Sequence, residues 1–175
     1  IAENPSYANG RGPLFFGTTA NALRRALLKF DFGAIPAGAQ IQNVELRIVV
    51  DRAARQAGTV DVARLHRALA SWGEGASFMA RGMGTQATPE DATWRYRFYG
   101  TPPGAPGPEW ISPGGDFAAA ASGQATISIL GPFTFTSSAG LVSDVASWVA
   151  NPSSNHGWVL IGREDEQSQT VRRAY

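Results

Sequence analysis

Two arginines and a tyrosine alternate along the segment TWRYRFY, residues 93–99. If this segment is an extended strand, Arg95, Arg97 and Tyr99 share one face of it. Two guanidinium groups can grip a carboxylate while a phenol ring lies under a sugar ring, so this face is a candidate site for a uronate. The opposite face carries aromatic rings that we expect to pack into the core or under a loop: Trp94, Tyr96 and Phe98.

An acidic cluster is the second candidate site. The stretch REDEQ contains Glu164 and Asp165, and Asp116 in PGGDF could join them, as could Glu3 near the start. Calcium takes carboxylate and carbonyl oxygens from loops, so one interpretation is a structural calcium site. A solvated charged turn is the other interpretation, and the sequence leaves both open.

The remaining polar motifs favour structural roles. His66 and His156 lie far apart, without the spacing of a transition-metal site, and His156 in SNHGW is expected to form a turn hydrogen bond. Trp72 in SWGEG is typical of a buried aromatic beside a tight turn. We expect Glu74 to accept backbone N–H groups of the Gly-rich loop, and a role as a metal ligand is the alternative. No GxSxG, P-loop or GxGxxG motif occurs, so we expect a non-catalytic domain.

Composition narrows the classes further. The 175 residues suit one domain, 1–175, and we expect it to be a piece of a longer chain. A net charge of +1 gives no reason to expect nucleic acid as a partner. There is no cysteine, and no apolar run approaches the roughly 18 residues needed to insert into a membrane. The core alone must therefore hold the fold.

Strand patterns dominate the chain. RRALLKFDF alternates, with Ala26, Leu28, Phe30 and Phe32 on one face, and NVELRIVV repeats the pattern after a Pro/Gly turn. We expect these two strands to be neighbours in an antiparallel sheet. In GTVDVARLHRAL the pattern predicts that Val60 and Val62 face inward. Shorter strands are predicted elsewhere: PLFFG, ATISILG, FTF, GWVLIGR and TVRRAY.

One segment has helical periodicity. SSAGLVSDVASWVANP predicts a helix near residues 139–150 with an apolar stripe on one side, formed by Leu141, Val145, Trp148 and Val149. Ser137 or Ser138 is the candidate cap before the helix, and Pro152 ends it. Many short strands, Gly/Pro-rich turns and one short helix predict an all-β fold. We expect an antiparallel β-sandwich of the jelly-roll type, with the helix covering one open end.

Several stretches resemble the DNRLRE-type domains, a disaggregatase-related family that overlaps carbohydrate-binding module family 96. The opening RRALLKFDFGAIPAGAQIQNVELRIVV is similar to the family's first strands, and SWGEGAS to its S-W-x-E-G segment. ATPEDATWRYRFYG, WISPGGDF, LVSDVASWVANPSSNHGWVLIG and RRAY are similar to a bacterial subgroup. The likeness covers nearly the whole chain in order, and the sequence ends at Tyr175, where members commonly continue with a Ser-Arg-Glu-like tail.

The resemblance implies a secreted β-sandwich, extracellular or at the cell surface, of the kind attached to polysaccharide-active enzymes and surface proteins. It makes a carbohydrate-binding module for polysaccharide, such as an acidic glycan, the leading hypothesis. The alternative is a structural or adhesive subunit of an extracellular assembly or filament, in which copies of the chain are joined by strand addition.

Overall fold

A computed structural model of the chain describes residues 3–19, 22–54, 61–80, 84–127, 130–164 and 169–175. These ranges contain ten strands, one α-helix and one short 3₁₀ helix. In chain order they are β1 (Tyr7–Ala8), β2 (Leu14–Thr19), β3 (Ala22–Leu28), β4 (Leu46–Ala53), β5 (Asp61–Arg67), β6 (Thr85–Gln86), β7 (Gly123–Ile127), β8 (Gly131–Phe135), α1 (Ala139–Ala150), the 3₁₀ turn Pro152–Ser154, β9 (Trp158–Ile161) and β10 (Arg172–Ala174).

Eight of the strands form one antiparallel ladder in the order β7-β5-β9-β3-β2-β10-β4-β8, and β1 pairs separately with β6. We divide the ladder into two four-stranded layers between β3 and β2, which only three residue pairs join in the described chain. The eight strands of the ladder can be renumbered 1 to 8 in chain order: β2, β3, β4, β5, β7, β8, β9 and β10. In this numbering the two layers have the strand orders 5-4-7-2 and 1-8-3-6, which is the strand order of a jelly roll. The end strands β7 and β8 follow one another in the chain and approach each other, so the ladder is nearly closed. The predicted fold class is confirmed.

The core lies between the two layers and is rich in aromatic rings. Phe133 lies 6.3 Å from Phe16 and 5.5 Å from Phe135, measured between ring centroids. At the helix end of the core, the rings of Trp148 and Trp158 meet edge to face at 4.7 Å. Rings at these separations and angles contribute attraction beyond the apolar area that they bury.

Helix α1 matches its prediction in extent, cap and buried face. The hydroxyl of Ser138 accepts the backbone N–H of Leu141, which satisfies one of the unpaired donors of the first turn. The helix ends at Ala150, two residues before Pro152. All four residues of the predicted apolar stripe are buried in the core: Leu141, Val145, Trp148 and Val149.

Other predictions need correction. The strand predicted from RRALLKFDF ends at Leu28, and β3 pairs with β2 and β9 rather than with β4, because the jelly-roll connection carries the chain across to the other layer. In β5 the buried positions are Ala63, Leu65 and His66, so the buried apolar side chains lie one residue out of phase with the predicted Val62. Val60 lies outside the described residues. The segment 93–99 is not a strand but a series of bends with one isolated bridge, Tyr96 to Glu109.

Candidate binding site

Strands β2 and β3 separate around an open groove. Their ladder has only three residue pairs in the described chain, from Gly17 with Arg24 to Thr19 with Ala22. Gly17 has a φ of 103°, and a side chain there would lie 2.8 Å from the carbonyl oxygen of Thr170, so only glycine fits where β2 turns away. Beyond this point β2 pairs with β10 and β3 with β9. The space between them, which we call the β2–β3 groove, has a volume of about 950 Å³.

Aromatic and aliphatic side chains line much of the groove. Phe15 and Leu28 come from the two strands, and Phe30 follows β3 with 39% of its surface exposed. The backbone of Phe30 is fixed because its carbonyl accepts the side-chain amide of Asn155 across 2.8 Å. Phe32 stacks on Trp148 with 6.0 Å between centroids. The groove therefore presents partly exposed rings on a rigid support.

Charged groups form part of the groove wall. Arg11, Arg24 and Lys29 contribute positive charge, while Asp31 and Glu74 contribute negative charge. Burial lowers the pKa of Arg24, and the charge of Glu3 partly opposes that shift. Rings with interspersed charges are the usual lining of a site that binds a polar ligand with an apolar face.

The groove rim brings two sequence motifs together. The indole N–H of Trp72, from SWGEG, donates to the backbone carbonyl of His156, from SNHGW, across 2.7 Å. The backbone of Lys29 lies against Gly157, the residue that follows His156. Gly157 has a φ of 76°, and a Cβ atom added there would lie 2.0 Å from the carbonyl oxygen of Leu28. Sequence analysis gave Trp72 and His156 separate structural roles, because nothing in their spacing shows that they meet.

Arg95, Arg97 and Tyr99 lie on the loop surface outside the groove. Arg95 forms an exposed ion pair with Glu109 at 2.9 Å, and this hydrogen bond raises the pKa of Arg95. Arg97 donates to the carbonyl of the same Glu109, at 3.3 Å, and to that of Ser71, at 3.4 Å. The two arginines thus meet around Glu109.

Tyr99 takes a different direction from the two arginines. Its ring meets that of Tyr96 edge to face at 5.8 Å, and its hydroxyl accepts the side-chain amide of Gln86 at 3.5 Å. The alternation that placed Arg95, Arg97 and Tyr99 on one face does not hold, because the segment is not extended. Whether these side chains bind a ligand stays a prediction.

The residues of the predicted calcium site have other partners. Both carboxylate oxygens of Glu164 accept the guanidinium of Arg25, at 2.7 and 2.8 Å. The carboxylate of Asp116 accepts the backbone N–H groups of Ile111 and Ser112, at 3.0 and 2.9 Å. Asp165 lies outside the described residues.

Within the described residues no group of three or more His, Cys, Asp or Glu side chains could hold a metal ion. The calcium site therefore stays a prediction, without support from this part of the chain.

No helix in the described ranges is long and apolar enough to cross a membrane. Comparison of the chain with family models, curated proteins and solved structures finds no match. The resemblance to DNRLRE-type domains therefore stays a prediction, and the geometry of the groove is the basis for a functional proposal.

Proposed function

We propose that this chain is a non-catalytic, extracellular carbohydrate-binding domain that holds a polysaccharide segment in the β2–β3 groove. The observation that carries the proposal is the groove itself, an open channel of about 950 Å³ that exposes Phe30 and Trp72 beside Lys29. Aromatic faces bind the apolar faces of sugar rings, and the charged and amide groups beside them bind hydroxyls.

The rigidity of the groove supports binding. Phe30 is held through Asn155, Trp72 through the carbonyl of His156, and β3 through its ladder with β9. A site that is already ordered loses less conformational entropy when a ligand binds, so a modest number of contacts yields measurable affinity. Catalysis is not part of the proposal.

Affinity electrophoresis through gels with and without polysaccharide tests the proposal. We expect selective retardation in at least one of alginate, pectin and xylan, and loss of retardation in Phe30→Ala and Trp72→Ala. Phe78→Ala removes a 62% exposed ring that does not line the groove and is the matched control. Retardation that survives both groove variants but is lost in Arg95→Ala would move the ligand to the loop surface around Glu109. No retardation in any gel would overturn the proposal.

A second candidate function, a subunit joined to its copies by strand addition, is favoured by one specific observation. The three-pair ladder between β2 and β3 leaves the Arg25–Leu28 half of β3 and the Leu14–Phe16 half of β2 without a described strand on the groove side. Strands with one free edge can pair with an added strand. Concentration-dependent oligomers in light scattering, together with no retardation in the gels, would favour this function.

A further inference from the structure

Three basic residues lie on chain segments that border His156 at the rim of the groove. The backbone of Lys29, just after β3, lies beside Gly157, and Arg67 at the end of β5 is the pairing partner of Trp158. The guanidinium of Arg97 donates to the carbonyl of Ser71 at 3.4 Å, and the neighbouring Trp72 donates its indole N–H to the carbonyl of His156 at 2.7 Å. Three separate parts of the chain therefore place a basic residue near one histidine.

The electrostatic effect on His156 agrees with this geometry. Burial lowers the pKa of His156, and the positive charges of Lys29, Arg67 and Arg97 lower it further. Each of these charges disfavours a proton on the imidazole. A bound anion would offset them and make protonation of His156 easier.

The carboxylates of the same region leave much of this positive charge uncompensated. Asp144 on α1 is bonded to Arg67 at 3.3 Å and to the indole N–H of Trp158 at 2.7 Å, so it compensates Arg67. Asp31 accepts the N–H of Gly33 at 2.8 Å, and Glu74 is exposed on the groove wall. Lys29 and Arg97 form no ion pair with a carboxylate among the described residues.

We infer that Lys29, Arg97 and His156, with the ring of Trp72 beside them, form a binding site for an oxyanion. Under the proposed function, on which this identification of the ligand rests, the oxyanion is a carboxylate or sulfate substituent of a sugar in the groove. Lys29 and Trp72 belong to both the cluster and the groove lining, so a sugar stacked on Trp72 would have its substituent beside the cluster. A charged acceptor with several charge-assisted donors forms stronger hydrogen bonds than a hydroxyl does.

Affinity of the site for an anion should rise as the pH falls. Protonation of His156 adds a third positive donor, and the anion raises the pKa of the imidazole by the same coupling. The charged groups that face this region are Lys29, Arg67 and Arg97 with Asp31, Glu74 and Asp144. The change in affinity between about pH 8 and 5 reports on His156 where it is lost in His156→Gln.

NMR titration with glucose, glucuronate and glucose 6-sulfate tests the site directly. We expect the two anionic sugars to shift the imidazole signals of His156 and glucose to leave them unchanged, with tighter binding at the lower pH. The anion that binds more tightly identifies the substituent as a carboxylate or a sulfate. Lys29→Ala and Arg97→Ala should each weaken anion binding by roughly tenfold, the loss of one charge-assisted hydrogen bond.

Arg47→Ala, which removes an exposed charge from β4 in the other layer, should have no effect and controls for net charge. Equal binding of glucose and glucuronate, or an equal loss in Arg47→Ala, would overturn the inference. Retardation by a neutral polysaccharide with no anion effect at His156 would overturn the anion site but not the proposed function. Anion binding at His156 with no retardation in any gel would overturn the proposed function but not the anion site.

Discussion

The indole N–H of Trp72 donates to the backbone carbonyl of His156 across 2.7 Å. This hydrogen bond joins the long loop that follows β5 to the turn that precedes β9. It fixes the ring of Trp72 at the rim of the β2–β3 groove, where the ring is half-buried. The role of this side chain as a bond donor and its proposed role as a stacking surface can be separated by substitution.

Trp72→Phe should cost about 0.5–1.5 kcal/mol of folding free energy, because it removes the hydrogen bond and keeps a ring. Trp72→Ala should cost more and should also abolish polysaccharide binding. Urea denaturation measures the first effect and affinity electrophoresis the second. If Trp72→Phe and Trp72→Ala lose polysaccharide retardation equally while Trp72→Phe stays stable, the ring does not act as a stacking surface.

The two buried tryptophans of the helix end should respond differently to Trp→Phe. Trp158 donates its indole N–H to Asp144 at 2.7 Å, whereas the indole nitrogen of Trp148 has no hydrogen-bond partner in the described chain. Trp158→Phe leaves a buried carboxylate without one of its donors and should cost about 1–3 kcal/mol more than Trp148→Phe. Chemical denaturation of both variants checks this, and equal losses would contradict it.

Trp148→Ala is a separate test of the core. The side chain is 1% exposed and lies between the ring of Phe32 and that of Trp158. Its removal should cost about 3–5 kcal/mol through lost burial and a residual cavity. Ser143→Ala, at an exposed position of the same helix, is the control and should change the free energy of unfolding by less than about 0.5 kcal/mol. An unaltered melting temperature in Trp148→Ala would show that the ring is not a core anchor.

The contrast between helix and loop shows what the sequence can predict. In α1, local periodicity, a capping serine and a following proline all specify the same structure, so its bounds and its buried face were predictable. The layers of the jelly roll were predictable as a class, because alternation and turn residues recur along the chain. The partners of β3 were not, since strand order depends on which connections cross between layers.

The prediction of an extended strand at residues 93–99 was wrong for a related reason. Its period of two is genuine, but the backbone is set by contacts distant in sequence, such as Arg97 N–H to the Pro108 carbonyl and Trp110 N–H to the Arg95 carbonyl. A carboxylate also organises this loop: the fully buried Asp91 accepts the hydroxyls of Ser77 and Thr88, each at 2.9 Å. Such long-range polar contacts leave no periodic signal, so neither the loop nor the groove beside it was predictable from the sequence.

The pH dependence of stability should carry a contribution from His156. Its pKa in the folded state is lowered, first by burial and then by Lys29, Arg67 and Arg97, so the unfolded chain binds a proton more readily. The stability that depends on neutral His156 is therefore fully present above the unfolded pKa of about 6.5 and is lost as the pH falls through the lower folded pKa.

A His156→Gln variant should remove this part of the pH dependence. Melting temperatures measured between about pH 8 and 5 should fall less steeply in the variant than in the wild type. If His156→Gln leaves the slope unchanged, the charges around His156 do not couple to folding.

Gly157→Ala tests how tightly the rim of the groove is built. The φ of 76° is strained for any residue with a side chain, and a Cβ atom would meet the carbonyl oxygen of Leu28 at 2.0 Å, a backbone group that cannot rotate away. We expect a loss of at least about 2 kcal/mol, larger than for Gly38→Ala, where φ is also positive but the space is open. Both variants share the conformational cost, so their difference in denaturation free energy isolates the steric contact between β3 and the turn before β9. A difference near zero would mean that Lys29 and His156 are not held in register by this contact, and the basic cluster would then lack the fixed geometry on which the proposed anion binding depends.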